Sequence, residues 1–186
     1  MTEKKPGCGK LILETERLLL REMTQADLDA LCKILCDEDV MRAAYESVFT
    51  REEAQGWLNR HLKRYREYGF GLWAVVLKET GKMIGQCGLT LQNWKEKEIL
   101  EIGYLFQKAY WHKGYAQEAA IACREYAFSA LHADCVYSTI RDTHIASQKV
   151  AVRNGMRVVD EAVKNFRGVD MNFFLYAVKN AKGLTE

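Results

Sequence analysis

Polar and apolar residues alternate along this chain with two different periods, and the switches between them mark its elements. Residues 17–22 (R-L-L-L-R-E) hold a short apolar run between charges and predict a strand. Over residues 24–36 the period becomes helical. Leu28, Leu31, Ile34 and Leu35 fall on one face, with Thr24 as N-cap and Asp27 at the third helical position. A second helix is predicted over residues 50–68, where Thr50-x-x-Glu53 is a capping box and Trp57, Leu58, Leu62 and Tyr65 form the apolar stripe. Residues 72–77 (L-W-A-V-V-L) are branched and aromatic, and Lys78-Glu79-Thr80-Gly81 turns them back into a strand over 83–91. Further on, the pattern predicts a strand at 99–106, a helix at 116–130, a strand at 136–140 and a helix at 145–154 stopped by Gly155. Strands at 158–163 and 171–178 end the series.

The order is strand, two helices, three strands, helix, strand, helix, two strands. It predicts a mixed-sheet α+β (α/β mixed) domain of about seven strands and about four helices. Residues 1–10 read as a flexible tail, 11–180 as the domain and 181–186 as a second tail. The single proline, Pro6, lies in the first tail, so glycines and polar turns must punctuate the fold.

Composition narrows the classes. A chain of 186 residues with 48% hydrophobic and 28% charged residues fits one globular domain that needs no disulfide or metal staple. A net charge of +2, from 27 basic and 25 acidic residues, gives neither nucleic acid nor membrane as the main partner. Residues 1–10 carry no apolar signal core and no apolar run approaches the ~18 residues of a membrane span, so the expected location is the cytoplasm. Cys8, Cys32, Cys36, Cys87, Cys123 and Cys135 are scattered through apolar or helical stretches and read as reduced packing thiols. Cys32 and Cys36 lie one helical turn apart, but no second Cys/His pair stands nearby, so no metal is expected. His61 and His132 read as surface residues.

The chemistry concentrates in residues 101–119, E-I-G-Y-L-F-Q-K-A-Y-W-H-K-G-Y-A-Q-E-A. A strand runs through a short loop straight into a helix. The first amides of a helix lack intrahelical acceptors and sit at the positive end of its dipole, where a phosphate binds readily. Gly114 and Ala116 have minimal side chains that would let a pyrophosphate approach the backbone, and Lys113 adds a cation. Spacing alone leaves open an ordinary turn that uses a small residue for clearance.

Tyr110-Trp111-His112-Lys113-Gly114-Tyr115-Ala116-Gln117-Glu118-Ala119 resembles the acetyl-CoA pyrophosphate loop of the GNAT superfamily of N-acetyltransferases. Three further segments are similar to the family in order. L-E-T-E-R-L-L-L-R at 13–21 resembles the opening strand of the branch that includes ribosomal-protein N-terminal acetyltransferases. G-K-M-I-G-Q-C-G-L at 81–89 resembles its third strand, and H-I-A-S-Q-K-V-A-V-R-N-G-M at 144–156 its second cofactor-side helix. The likeness departs from the family at His112, where glycine is usual, and at His144, where an asparagine that contacts the pantetheine arm is usual.

The resemblance implies acetyl-CoA as co-substrate, an amine acceptor, no metal, and a homodimer as a common state among relatives. It implies a splayed pair of parallel strands, at 99–106 and 136–140, with the acyl-pantetheine slotted between them. The cofactor would then lie against Leu105, Phe106, Gln107, Trp111, His112, Lys113, Gly114, Tyr115, Ala116, His144 and Ser147. A backbone N–H near Leu105 would face the thioester carbonyl, and backbone groups of Leu105 and Gln107 would pair with the pantetheine amides. Direct attack on the thioester requires the amine to lose a proton, the oxyanion to be held and the thiolate to be protonated.

Glu101, which alternates with Gly103 and Leu105 on one strand face, is the candidate base, acting through a water; otherwise it is a solvated edge residue or a structural acceptor. The tyrosine that many relatives use as acid is replaced by Ala151, which leaves Ser147 as the candidate donor, or as a hydroxyl that only satisfies its helix's first turn. The acceptor pocket is expected between the early helices, from residues 37–51 with Asp39, Arg42, Tyr45, Glu46 and Phe49, and from the last hairpin at 165–172. Two other readings stay open. One is a non-catalytic acyl-CoA-binding module on the same fold. The other is a protein-interaction domain with Trp94 and Trp111 as surface anchors.

Overall fold

The Thr50 hydroxyl accepts the Glu53 N–H at 3.2 Å, and the Glu53 carboxylate accepts the Thr50 N–H at 2.8 Å. This reciprocal cap, read from the sequence, starts the helix Arg51–Tyr68, which Gly69 ends at φ +77°. The computed structural model describes residues 9–45 and 47–181, with nothing said of the Phe166 side chain. Cys8, Glu46, residues 1–8 of the first tail and 182–186 of the second lie outside the described residues.

The strands are β1 (Leu11–Glu14), β2 (Leu18–Arg21), β3 (Leu72–Leu77), β4 (Met83–Trp94), β5 (Lys97–Phe106), β6 (Cys135–Arg141), β7 (Arg157–Phe166) and β8 (Val169–Lys179). The helices are α1 (Leu28–Leu35), α2 (Glu38–Tyr45), α3 (Arg51–Tyr68), α4 (Tyr115–Ser129) and α5 (Ile145–Arg153). One eight-stranded sheet runs in the order β1-β2-β3-β4-β5-β6-β8-β7. Every neighbouring pair is antiparallel except β5 and β6.

The extra strand and helix have local causes. The Thr15 N–H donates to the Leu18 carbonyl at 3.0 Å and the Thr15 hydroxyl accepts the Leu18 N–H at 3.0 Å, which splits the opening run into β1 and β2. The stretch at 37–51 is not all loop. The Asp37 side chain accepts the Val40 N–H at 3.0 Å, acidic residues fill the first turn, and Arg42 pairs with Glu38 one turn back. Only Val40 and Met41 of α2 are buried, so the helix hides behind a polar composition. The Thr24–Asp27 box is present, but it caps a 3-10 turn at Gln25–Asp27 that leads into α1. Asp27 also receives both Arg21 guanidinium nitrogens, at 2.7 and 2.8 Å.

Helices cover both faces of the sheet, which explains the unbroken apolar run of β3. Trp73 and Val75 pack into the core shared with α4 and α5, while Leu72, Ala74 and Val76 pack against α1 and α3. The buried face of α4 is Ala119, Ala120, Cys123 and Ala127, small enough for the helix to lie close on the strands. Cys87 and Cys123 meet there as free thiols 3.5 Å apart.

His61 corrects its surface reading. It is 2% exposed on the inner side of α3, and its Nδ1 accepts the Leu72 N–H at 3.2 Å. Burial, reinforced by the charges of Arg64 and Arg60, holds its pKa down at about 3, so the ring is neutral. His132 is exposed. Trp94 is 4% exposed with its Nε1 donating to Asp160 at 2.8 Å, and Trp111 Nε1 donates to the Phe106 carbonyl at 2.9 Å. Both indoles are committed inside the fold, not displayed as anchors.

Candidate functional site

The parallel strands β5 and β6 pair in register only at Glu101 and Tyr137, then part. At the fork, side chains replace the main-chain ladder. The Glu101 carboxylate accepts the Thr139 N–H at 2.8 Å, and the Ser138 hydroxyl donates to the Ile102 carbonyl at 2.9 Å. Past the fork, one edge of β5 has no strand partner.

Which residues own that edge follows from the pairing with β4. Gly85 stands opposite Phe106, and the Gln107 N–H donates to the Ile84 carbonyl at 2.9 Å. Main-chain groups of alternate residues point to the same edge. Leu105 and Gln107 therefore turn their amides toward β4, and the amides of Tyr104 and Phe106 face the opening. This corrects the backbone roles expected of Leu105 and Gln107. The Gln107 side chain is also spent, donating to the Met83 carbonyl at 2.9 Å. Leu105 still lines the site.

A groove of about 1620 Å³, counting its open mouth, extends from this edge. Tyr104, Leu105 and Phe106 line one wall, the first turn of α5 from His144 to Ser147 another, and Trp111, His112, Gly114, Tyr115, Ala116 and Gln117 close the end. The first bond of α4 runs from the Glu118 N–H to the Gly114 carbonyl at 3.0 Å. The amides of Tyr115, Ala116 and Gln117 thus precede the helical ladder. Gly114 has φ +81°, and His112, at φ +60°, adopts the left-handed backbone that glycine takes more easily.

Glu118 fixes this loop to the β1–β2 turn. It accepts from the Thr15 hydroxyl, the Arg17 amide and the Arg17 guanidinium at 2.6, 2.9 and 2.7 Å. Lys113 lies outside the groove lining. Its carbonyl accepts from Arg17 at 3.0 Å and its ammonium sits 5.5 Å over the Tyr110 ring.

A second cavity, of about 690 Å³ counting its open mouth, lies on the other side of the fork. Ala44 and Tyr45 of α2, Trp57, His61 and Arg64 of α3, Thr90 and Gln92 of β4, and residues 138–141 of β6 surround it, with Glu101 in its wall. Tyr104, Leu105, His144 and Ser147 line both spaces, so the two meet there. Burial raises the Glu101 carboxyl above its usual range, against the opposing pull of the Thr139 bonds and of Lys164 and Arg64. Tyr45 is pushed up to about 12 by burial and by the Glu101 charge. Burial, then the charge of Arg141, lowers His144, which is neutral at neutral pH.

Tyr104, not singled out by the sequence reading, meets Ser147 at the junction. Its hydroxyl lies 2.9 Å from Ser147 Oγ and donates to the Ser147 carbonyl at 3.1 Å. Burial pushes the phenol up, so it keeps its proton. The strand pleat was the signal: Tyr104 must face away from Glu101, toward the side where α5 packs.

The loop residues expected around the acceptor are mostly occupied elsewhere. Asp39 pairs with Lys108, Arg42 with Glu38, and Phe49 packs edge-on to Trp57 at 5.8 Å. At the tip of the last hairpin, Arg167 donates to the Ser47 hydroxyl at 2.7 Å and pairs with Glu53, and of that neighbourhood only Phe173 lines the cavity. Among the described residues no group of three or more His, Cys, Asp or Glu could hold a metal ion, and no helix is long and apolar enough to cross a membrane.

The family model of the acetyltransferase (GNAT) domain matches residues 17–157. The chain is similar to the uncharacterized protein YkkB of Bacillus subtilis (strain 168), 33% identical over 148 residues, which are 80% of this chain and 86% of the relative. It is similar in structure to a GNAT-family acetyltransferase from Bacillus anthracis, with a TM-score of 0.77, 27% identity, and 90% of this chain and 97% of that one covered. It shares the fold of RimL, a ribosomal-protein α-N-acetyltransferase solved in complex with coenzyme A, at a TM-score of 0.74 and 16% identity over 91% of this chain and 98% of that one.

Proposed function

The chain belongs to the GNAT acetyltransferase family and is an acetyl-CoA-dependent N-acetyltransferase, and from that premise we propose that it acetylates a primary amine by direct attack on the thioester in a ternary complex. The observation that carries this reading is the junction of the two cavities across Tyr104, Leu105, His144 and Ser147, with Glu101 on the acceptor side. A pantetheine arm in the groove and an amine in the second cavity would meet there.

The groove's residues fit the co-substrate. The open edge of β5 offers the amides of Tyr104 and Phe106, which can hold the pantetheine chain and the developing oxyanion. Left-handed Gly114 and the leading amides of α4 suit a pyrophosphate. Glu101, with a raised pKa, is the base that takes the amine proton, directly or through one water. Ser147 Oγ and the Tyr104 hydroxyl form the donor pair that returns a proton to the leaving thiolate. Ala151, which replaces the usual tyrosine, is 1% exposed and lies one helical turn beyond Ser147. The phenol reaches the same region from the strand instead of the helix.

The test is thiol release from acetyl-CoA against a panel of amines and N-terminal peptides, with Gly114→Glu and Glu101→Gln alongside. Gly114→Glu places bulk and negative charge at the phosphate position and should abolish CoA binding. Tight CoA binding by the wild type, with no amine stimulating thiol release, would overturn the reading.

A further inference from the structure

We propose that the acceptor carries an oxyanion, a carboxylate or phosphate, close to its reactive amine, as a free amino acid does, and that Arg64 receives it. This rests on the acetyltransferase reading and narrows its substrate class. The argument begins with the face that α3 turns to the acceptor cavity. Trp57, His61 and Arg64 follow one another at helical spacing and all three line the space. Trp57 is fixed through Nε1 to the Gln86 carboxamide at 3.0 Å, and His61 through Nδ1 to the Leu72 amide at 3.2 Å. Arg64, half-buried beside them, makes no hydrogen bond or ion pair among the described residues.

The other charges of the wall have assigned work. Among the described residues that line the cavity, Glu101 is the single acidic one, and it is held by the Thr139 amide. Arg141 is tied to α2 through the Arg42 carbonyl at 3.1 Å. His61 and His144 are neutral. Of the neighbouring cations, Arg60 stacks over Trp57 at 5.4 Å and Lys164 over Trp94 at 4.5 Å. The wall therefore presents one carboxylate and one guanidinium to the same space, the Arg64 charge being felt at Glu101 but not hydrogen-bonded to it. A guanidinium favours a bidentate oxyanion. An amine with a neighbouring carboxylate or phosphate satisfies both ends, whereas a polyamine or other polycation meets like charge.

The experiment uses the full chain, acetyl-CoA and matched amines: the standard amino acids against their carboxamides, phosphoethanolamine against ethanolamine, and an N-terminal peptide with an acidic first residue. Wild type should favour the oxyanion-bearing member in kcat/KM by about 10- to 100-fold. The carboxylate and phosphate pairs distinguish the two sources of charge. Arg64→Gln should erase the preference by raising the KM of that member alone, with the KM of acetyl-CoA and the Tm unchanged, and Arg64→Lys should restore part of it. Equal turnover of both members, or a preference that survives Arg64→Gln, overturns the proposal; the acidic peptide, which also carries a carboxylate near its amine, should lose its turnover in Arg64→Gln in the same way. Calorimetry of the CoA-loaded protein with the same acids reads the site without turnover. Binding lost in Arg64→Gln supports the oxyanion site even if the catalytic reading fails, and no binding of any acid by wild type overturns it.

Discussion

The Glu101 carboxylate accepts the Thr139 backbone N–H at 2.8 Å across the point where β5 and β6 part. One group thus closes the base of the fork and stands in the wall of the second cavity, where the proposed function makes it the base. Because burial raises its pKa, the carboxylate forms only above the usual carboxylate range, and kcat/KM should climb with pH through that raised value. Glu101→Gln keeps an oxygen for the Thr139 amide but cannot take a proton. It should lower kcat by about 10²-fold or more and remove this acidic limb. The stability sign is opposite. A carboxyl with a raised folded-state pKa contributes stability below its unfolded pKa, and loses it as pH rises through the folded value. Glu101→Gln should therefore leave the Tm at pH 7 equal to or above wild type. A lowered Tm with unchanged kcat would make Glu101 a structural acceptor only.

Tyr104 and Ser147 make the second prediction. If their hydroxyls, 2.9 Å apart, supply the thiolate's proton together, Tyr104→Phe and Ser147→Ala should each lower kcat with little change in the KM of acetyl-CoA. The double variant should lose little more than the worse single one, because residues that act as a unit are not additive. CoA thiolate leaves readily, so the loss should stand at the lower end of acid catalysis, about 10²-fold. Full activity in the double variant would leave protonation to solvent.

The His112 backbone carries a cost that glycine would relieve. At φ +60° an L side chain is strained by roughly 1–2 kcal/mol, against about 0.5–1 kcal/mol of chain entropy that glycine adds to unfolding. His112→Gly should raise stability by about 0.5–1 kcal/mol in urea denaturation. The amide stays in place, so the acetyl-CoA KM should move by less than about threefold, and a larger rise would assign the imidazole to the cofactor.

Features set by neighbours in sequence were legible, and those set by the partner across the sheet were not. The Thr50 box, the β3 run and the Gly155 stop at φ +79° depend on local chemistry and stand where the pattern puts them. The α2 helix was hidden because its first turn is acidic and only two of its residues are buried. Alternation within β5 puts Glu101, Gly103 and Leu105 on one face, but the edge on which Leu105 places its amide is decided by Gln86 opposite it, which periodicity does not reveal. His61 stands at a helix position that reads as solvated, and Arg64 follows it on the same face. Folding α3 onto β3 is what buries the first and leaves the second facing a cavity.

His61 gives a prediction that needs no ligand. Its ring is 2% exposed, and its pKa falls from 6.5 to about 3, first through burial and then through the charges of Arg64 and Arg60. The folded protein excludes a proton that the unfolded chain accepts. The contribution to stability is therefore complete above the unfolded value near 6.5 and shrinks as pH falls toward 3. The loss should approach about 1.4 kcal/mol per pH unit within that window. Carboxylates titrate in the same range, so the readable quantity is a difference. His61→Gln keeps an acceptor for the Leu72 N–H without the titration, and its urea stability should fall less steeply than wild type below pH 6.5. Parallel curves for the two proteins from pH 7 to pH 5 would mean that the ring takes up its proton in the folded state, with α3 giving way around it.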